Sequence, residues 1–190
     1  IASCLVGSEM CIRDRINSMG QNFNDTFVVF DLETTGFSAE VDRIIEIGAV
    51  KIKNGEIVDN FSKFVNPKIP IPFRIEKLTG INDSMVMEAE PIEKILPEFL
   101  EFCGDAVMVA HNAGFDTSFI INNAERLGIK YDPTIMDTVL LAQFVIPNLH
   151  NYKLDTLCKH LAVSLENHHR AVDDAQATAY IYLKMVKLLE

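Results

Sequence analysis

The sequence predicts an α/β domain built on a mixed five-stranded sheet with helices on both faces. Three strand-like apolar runs follow one another within residues 27–65, and helical patterns then alternate with two short strand-like runs. Consecutive strands favour hairpins in one sheet, whereas alternating strands and helices are typical of parallel crossovers. With 190 residues and a hydrophobic share of 48%, the chain is long enough for one core and does not require a second domain.

The composition limits the classes of protein and the partners that fit this chain. No apolar run is long enough to span a bilayer, and the first residues lack the charge and length of a signal peptide, so we expect a cytoplasmic protein without membrane contact. The four cysteines are far apart in sequence, which argues against a zinc site and against a disulfide framework. The formal net charge of -10 repels nucleic acid, so a DNA partner must be held by local features, by metal or by a larger surrounding protein.

The first 25 residues are predicted to be a tail or a linker. They mix Gly, Ser, Asn and isolated charges without a sustained period. Residues 3–15 also resemble a spurious peptide translated from adapter sequence, in which case the segment has no function. The end of a preceding domain is the alternative. We therefore assign residues 1–25 to a tail and residues 26–190 to the folded domain.

The first strand ends in two carboxylates that organise the rest of the predicted site. Residues 27–30 form a buried strand-like run, and Asp31 and Glu33 follow it two positions apart. Side chains alternate along a strand, so both carboxylates point to one side, roughly 6 to 7 Å apart, where a divalent cation would relieve their repulsion. The Thr-Thr-Gly sequence at residues 34–36 should then turn the chain and leave backbone NH groups free for a phosphate or a sugar. A solvated acidic strand end is the simpler alternative for this motif alone.

The next two strands are predicted to form a hairpin. Residues 43–53 and 56–65 are strand-like, and the Asn-Gly pair at residues 54–55 between them is a strong hairpin signal. Glu46 lies among apolar neighbours in the first of these strands. We interpret it as a structural acid, with Arg43 as its buried partner, and an acid behind the metal ligands is the alternative.

A proline-rich loop then leads into short helices. Residues 73–78 predict one short helix, and Asn82 can cap another. An exposed apolar side chain between them, Leu78 or Ile81, could wedge against a base, and a core position under the loop is an equal alternative. Residues 91–102 have the apolar spacing of an amphipathic helix with proline at its first turn.

Two further acids lie where strands and helices meet. A buried strand at residues 107–110 leads to a helix in which Asp116 heads the stripe that packs on the sheet. In the last helix, the apolar stripe leads back one turn at a time to Asp174, and His169 lies five residues earlier. Asp116 could instead complement the helix dipole, and the His168-His169 pair could be a surface turn. Sites in such sheets gather at strand ends and helix starts, and four inward acids would repel one another without a metal.

These residues form three motifs that resemble the exonuclease motifs of the DnaQ-like DEDD family. The motifs are Asp31-x-Glu33-Thr-Thr-Gly, His111-Asn112-x-x-Phe115-Asp116 and His169-x4-Asp174, in the order and spacing of the family over residues 26–190. The histidine indicates the DEDDh branch, because the DEDDy branch requires a tyrosine where this chain has Arg170. Within the family, the stretches at residues 78–81, 109–116 and 168–175 are most similar to the proofreading domain of PolC-type DNA polymerase III alpha subunits.

The resemblance implies a ribonuclease H-like fold and 3′-to-5′ hydrolysis that releases nucleoside monophosphates from DNA. It implies two divalent cations, Mg²⁺ or Mn²⁺, and a histidine base, His169, that takes the proton from the attacking water. The implied metal ligands are Asp31, Glu33, Asp116 and Asp174. The implied substrate contacts are Thr34, Thr35, Gly36, Leu78, Thr79, Ile81 and Asn112. The implied partners are the single-stranded 3′ end of DNA, with RNA as the alternative, and a polymerase domain or subunit that delivers it.

Two other classes of protein are the alternatives. A haloacid-dehalogenase-type phosphatase also begins with an apolar strand and an acidic motif, but it requires a later lysine before an acidic pair, where this chain has His169. A catalytically silent module would use the same fold to bind a partner, and the five intact catalytic residues argue against it. Within the enzyme class, a free-standing exonuclease that trims DNA or RNA competes with proofreading.

Overall fold

The computed structural model describes residues 26–165 and 168–189, which form a five-stranded sheet and seven helices. The tail predicted for residues 1–25 lies outside the described residues. None of the helices in the described ranges is long and apolar enough to cross a membrane.

The sheet has the predicted mixture of antiparallel and parallel strands. Its order is β3-β2-β1-β4-β5, in which β1, β2 and β3 are antiparallel neighbours and β4 and β5 run parallel to β1. The Asn54-Gly55 turn joins β2 to β3 with positive φ values of 53° and 78°, the conformation in which Asn-Gly is favoured. The strand bounds are β1 Thr26–Thr34, β2 Ile44–Lys53, β3 Glu56–Phe64, β4 Val107–Ala110 and β5 Ile135–Asp137.

The helices begin and end at local capping signals. Gly80 ends the first helix with a φ of 72°, and the side chain of Asn82 accepts a hydrogen bond from the backbone N–H of Met85 at the start of the second. The sequence predicted the short helix that ends here and the cap at Asn82. The helix bounds are α1 Phe73–Thr79, α2 Asp83–Val86, α3 Ile92–Cys103, α4 Gly114–Arg126, α5 Thr138–Val145, α6 Leu154–His160 and α7 Ala171–Lys187.

Helices cover both faces of the sheet, so the predicted fold class is confirmed. On one face, α3 and α4 pack against alternate residues of β1, and the buried side chains include Phe30, Phe99 and Phe119. On the other face, α5, α6 and α7 pack against the intervening residues of β1, with buried side chains that include Val29, Leu157 and Ile181. A smaller core of isoleucine and valine residues lies under α1 and α2.

The start of α7 lies directly on the sheet at Gly48 of β2. A Cβ atom added to Gly48 would stand 2.1 Å from the backbone carbon of Ala171 and 2.1 Å from the backbone nitrogen of Val172. Real Cβ atoms do not approach other heavy atoms this closely, so the close approach requires glycine. Gly48 is paired with Asp31 in the sheet ladder. The glycine therefore allows the first turn of α7, which contains Asp174, to lie beside the end of β1.

Candidate active site

Asp31 and Glu33 lie near the end of β1 on the face that α7 covers. They are separated by one strand period, as predicted, and Glu33 is paired with Glu46 of β2 in the antiparallel ladder. Both line an open cleft of about 220 Å³. The other residues that line this cleft are Leu32, His111, Asn112, Phe115, Asp116, Leu154, His168, His169 and Asp174.

Asp116 connects the start of α4 to β1. Its side chain is 3% exposed, and its Oδ1 accepts a hydrogen bond of 3.0 Å from the backbone N–H of Leu32, the residue between Asp31 and Glu33. This bond joins two chain segments that are 84 residues apart. It fixes the distance between the second acidic motif and the first.

Asp174 is held in the first turn of α7 by the two residues of the histidine pair. The backbone N–H of His169 donates to Asp174 Oδ2 at 3.0 Å, and Nδ1 of His168 lies 2.9 Å from Asp174 Oδ1. The two imidazole rings stack with their centroids 3.9 Å apart, and His169 has a φ of 72°. His168, to which the sequence assigned no role, therefore contacts the acid through its ring, while His169 lines the cleft and contacts the acid through its backbone.

The acids fit a divalent cation by geometry and by charge. Ligand oxygens of Asp31, Glu33 and Asp174 lie within 4.8 Å of one another, and carboxylate oxygens are ligands that Mg²⁺ and Mn²⁺ prefer. Burial, and then the negative charge of Asp174, raise the pKa of Glu33 to about 8. Burial also raises the pKa of Asp116 to about 7, and burial together with the neighbouring acids raises the pKa of Asp31 well above its usual range. These raised pKa values mean that the carboxylates cannot all ionise unless a positive charge lies beside them, and a bound metal ion supplies that charge.

Glu46 has a different partner from the one that the sequence suggested. Its carboxylate is 1% exposed and accepts hydrogen bonds from the guanidinium of Arg170, at 2.8 Å from Nη2 and 3.2 Å from Nε, and from the backbone N–H of Ala171 at 3.1 Å. Arg43 instead donates to the backbone oxygens of Val41 and Asp42. The prediction of Arg43 as partner was wrong because the packing of α7 on β2 brings Arg170, 124 residues away in sequence, to Glu46.

The turn after β1 is tighter than the sequence suggested. Thr34 Oγ1 donates to the backbone oxygen of Gly36 at 2.6 Å, and Thr35 Oγ1 accepts from the backbone N–H of Arg43 at 2.9 Å. The backbone N–H of Thr35 donates to the backbone oxygen of Arg43 at 2.8 Å, so it is already used within the protein. A Cβ atom on Gly36 would lie 2.4 Å from Asp42 Oδ1. The turn is therefore closed by Asp42 and Arg43, which directly precede β2, and of the backbone NH groups predicted to meet a substrate at residues 34–36, that of Thr35 is already used within the protein.

The end of α1 and the loop after it contain one exposed residue and two buried ones among the predicted contacts. Leu78 is 48% exposed, whereas Ile81 has no exposed surface and packs with Ile45 and Ile75. Thr79 Oγ1 donates to the backbone oxygen of Ile75 and accepts from the backbone N–H of Ile81. Ile81 thus occupies the core position that was the alternative to a base wedge, and Leu78 has the exposure that a wedge requires.

The loop after β4 is held by an acid that the sequence did not assign to the site. Asp137 accepts hydrogen bonds from the backbone N–H groups of Asn112 at 3.2 Å and Ala113 at 3.0 Å, and from Val139 at the start of α5. Asn112 is exposed at the mouth of the cleft with a φ of 60°. The parallel pairing of β4 with β5 places Ala110 opposite Asp137, and this pairing is the signal from which the contact could have been inferred.

His111 is a second residue of the cleft without a role assigned from the sequence. Its Nδ1 lies 2.9 Å from Thr138 Oγ1, and Thr138 Oγ1 donates to the backbone oxygen of Ala110 at 3.3 Å. Burial lowers the pKa of His111, so its ring is neutral near pH 7. The ring therefore adds a polar group to the cleft without adding a positive charge.

The three acidic segments, their spacing and the cleft that they form are those of an exonuclease. Residues 28–182 match the sequence profile of the RNase_T family, described as Exonuclease, and the chain belongs to this family. It is 55% identical over 166 residues to DNA polymerase III PolC-type of Clostridium perfringens and 57% identical over 164 residues to the same polymerase of Caldanaerobacter subterraneus subsp. tengcongensis. These matches cover 87% and 86% of this chain, which spans about 12% of the length of each relative. The resemblance predicted from the motifs is thereby confirmed.

Solved structures with a similar fold are also exonucleases. Exonuclease X in complex with 5′ overhanging duplex DNA aligns with a TM-score of 0.69 and 28% sequence identity, over 85% of this chain and 91% of that chain. The nuclease domain of 3′hExo, a DEDDh family member bound to rAMP, aligns with a TM-score of 0.75 over 87% of this chain and 94% of that chain. Its sequence identity of 21% supports the likeness of the fold alone. The ribonuclease H-like fold expected from the resemblance is confirmed.

Proposed function

We propose that this domain removes nucleotides from the 3′ end of DNA as the proofreading exonuclease of a PolC-type polymerase. The observation that carries the proposal is the convergence of four acids from three separate elements on one cleft. Asp31 and Glu33 come from β1, Asp116 from α4 and Asp174 from α7. The sequence identity to PolC-type polymerases supports proofreading over free-standing trimming.

The four acids are the proposed ligands of two divalent cations, Mg²⁺ or Mn²⁺. When bound, such cations would clamp the scissile phosphate and stabilise the charge on the attacking and leaving oxygens. The chain contributes the fixed positions of the ligands. The bond from Leu32 to Asp116 and the seat of α7 on Gly48 hold two of these acids in place before any metal binds.

His169 is the proposed general base. Its ring lines the cleft, and burial and the nearby His168 lower its pKa, so that the ring is neutral at physiological pH and can accept a proton from water. His168 competes for this role because its Nδ1 lies against Asp174. When Asp174 binds metal, its carboxylate would offer His168 a weaker hydrogen bond. The single variants H168A and H169A separate the two candidates for the base.

The 3′-terminal nucleotide is proposed to lie between the turn after β1 and the exposed side chain of Leu78. Asn112, at the mouth of the cleft, would contact the backbone of the strand. Thr34, Thr35 and Gly36 are buried, so they would act by holding the turn beside this subsite. Thr79 and Ile81 are buried as well and would act by holding the end of α1, which presents Leu78.

The acidic charge of the chain favours a partner that delivers the substrate. A net charge of -10 repels a long DNA strand, whereas only a few nucleotides at a frayed 3′ end need to enter the cleft. A polymerase domain or subunit would supply the remaining contacts to DNA. The cytoplasmic location stays a prediction.

The test is an exonuclease assay with the purified chain. Single-stranded DNA and a mispaired primer-template, both labelled at the 5′ end, are incubated with Mg²⁺, Mn²⁺ or EDTA. We expect metal-dependent shortening from the 3′ end, abolished in D31A and retained in D59A, which removes an exposed acid of β3. Faster shortening of an RNA oligonucleotide would favour a trimming enzyme, and no shortening of any strand in either metal would contradict the proposal.

A further inference from the structure

An ion pair between the buried carboxylate of Glu46 and the partly exposed guanidinium of Arg170 lies behind the cluster of acids. Glu46 lies on β2 opposite Glu33, is 1% exposed, and accepts bonds from both Nε and Nη2 of Arg170. The guanidinium also lies 5.2 Å from the centre of the Phe64 ring. Two hydrogen bonds from one guanidinium to one carboxylate fix the relative orientation of the two groups, which a single surface ion pair does not.

The pair determines where α7 begins. Arg170 immediately precedes the helix, and its backbone oxygen accepts the N–H of Asp174 at 3.0 Å. The N–H of Ala171, the first residue of α7, donates to Glu46 Oε2 at 3.1 Å. Glu46 therefore satisfies a free N–H of the first turn from the neighbouring strand, in the manner of a helix cap. The helix turn that contains Asp174 is thereby tied to the sheet.

The pair also determines where a positive charge lies. The guanidinium of Arg170 is bonded to Glu46, which is paired with Glu33 in the sheet ladder. The guanidinium is thus within electrostatic range of the acids, although its hydrogen bonds go to Glu46. Guanidinium groups bind carboxylates strongly, so an unpaired arginine at this position would compete with a metal for Glu33 or Asp174.

We propose that Glu46 and Arg170 are positioning residues of the exonuclease. Glu46 anchors the first turn of α7 to β2 and keeps the guanidinium of Arg170 away from the acids that bind metal. This inference deepens the proposed function and rests on its assignment of Asp31, Glu33 and Asp174 as metal ligands. Arg170 occupies the position of the DEDDy tyrosine, and this inference gives it a role outside the chemical step.

The test compares the variants E46Q, R170Q and E46Q/R170Q with the unchanged chain. Mn²⁺ binding is measured by calorimetry without DNA, and the Mg²⁺ requirement and kcat of DNA hydrolysis are measured separately. In E46Q, the released guanidinium should weaken Mn²⁺ binding by about fivefold to tenfold, the strength of a partly exposed arginine–carboxylate contact. Removing the arginine as well should recover most of this loss. E98Q, which breaks an exposed ion pair with Lys63, is the matched control and should bind Mn²⁺ normally.

A purely structural role predicts the opposite order of effects. If E46Q/R170Q binds Mn²⁺ as weakly as E46Q or more weakly, or if folded E46Q binds Mn²⁺ normally, the inference is wrong. Should E46Q fail to fold, R170K and R170Q decide the question, because lysine keeps the charge without the two-pronged contact. R170K should then bind Mn²⁺ more weakly than R170Q, and the reverse order would overturn the inference. Since Mn²⁺ binding needs no DNA, an unchanged chain that binds metal but does not cleave DNA would count against the proposed function alone.

Discussion

Replacing Gly48 by alanine should disable the site without removing any of its functional groups. The added Cβ would stand 2.1 Å from two backbone atoms of α7 and 2.5 Å from the backbone oxygen of Ala171. Non-bonded heavy atoms sit about 3.5 Å apart or more, so the start of α7 must move by roughly 1 to 1.5 Å. Asp174 lies in the first turn of this helix and would move with it, away from Asp31 and Glu33.

The expected loss is large in activity and moderate in stability. A displacement of about 1 Å at a reacting centre can reduce kcat by about 100-fold, and overpacking of a buried contact costs about 1 to 3 kcal/mol. Activity is measured as the rate of 3′ shortening at saturating Mg²⁺, and stability is measured by urea unfolding.

Gly55→Ala is the matched control for this prediction. Gly55 has a φ of 78°, so alanine is strained there, and a Cβ would meet no atom within 4 Å. The control should lose about 1 kcal/mol of stability through this strain and keep its kcat. A Gly48→Ala variant that retains kcat within about threefold of the unchanged chain would refute the argument that this contact positions Asp174.

Three further predictions concern the acids, the histidines and the loop. In EDTA, the free energy of unfolding should fall by roughly 1 to 3 kcal/mol as pH rises from about 5 to 8, because the pKa of Glu33 in the folded protein, about 8, exceeds its ordinary value of 4.5. Thermal melts should then show that Mg²⁺ restores more stability at pH 8 than at pH 5. H169A should lower the single-turnover rate by about 100-fold or more while H168A lowers it less than tenfold, and equal losses would reject His169 as the base. L78A should raise KM for single-stranded DNA about threefold to tenfold at unchanged stability, whereas I81A should lower the free energy of urea unfolding by about 2 to 5 kcal/mol. The reverse pattern would contradict the assignment of Leu78 as the substrate contact.

Local signals in the sequence were sufficient for much of the fold. The Asn54-Gly55 turn fixes the β2–β3 hairpin because both residues tolerate positive φ, and Gly80 and Asn82 mark helix ends for equally local reasons. The alternation of side chains along β1 placed Asp31 and Glu33 on one face. These predictions depend only on residues that are neighbours in the chain, so a single sequence was enough to make them.

Contacts between distant segments could not be predicted in the same way. Arg170 and Glu46 are 124 residues apart, and their pairing depends on how α7 crosses β2. The burial of Ile81 depends on isoleucines from three different segments, so the loop sequence did not distinguish a wedge from a core residue. The contact of the His168 ring with Asp174 depends on the path of the chain just before α7, where His169 has a positive φ of 72°.

The order in which nucleotides leave the DNA shows the direction of hydrolysis at this cleft. Single-stranded DNA with a distinct nucleotide at each end is incubated with the chain and Mg²⁺, and released nucleotides are identified by mass spectrometry over time, beside the variant D116N. We expect the 3′-terminal nucleotide to be released first as a monophosphate, and D116N to release none because one acid of the cleft is lost. Release of the 5′-terminal nucleotide first, or undiminished release by D116N, would contradict a 3′-to-5′ exonuclease at this cleft.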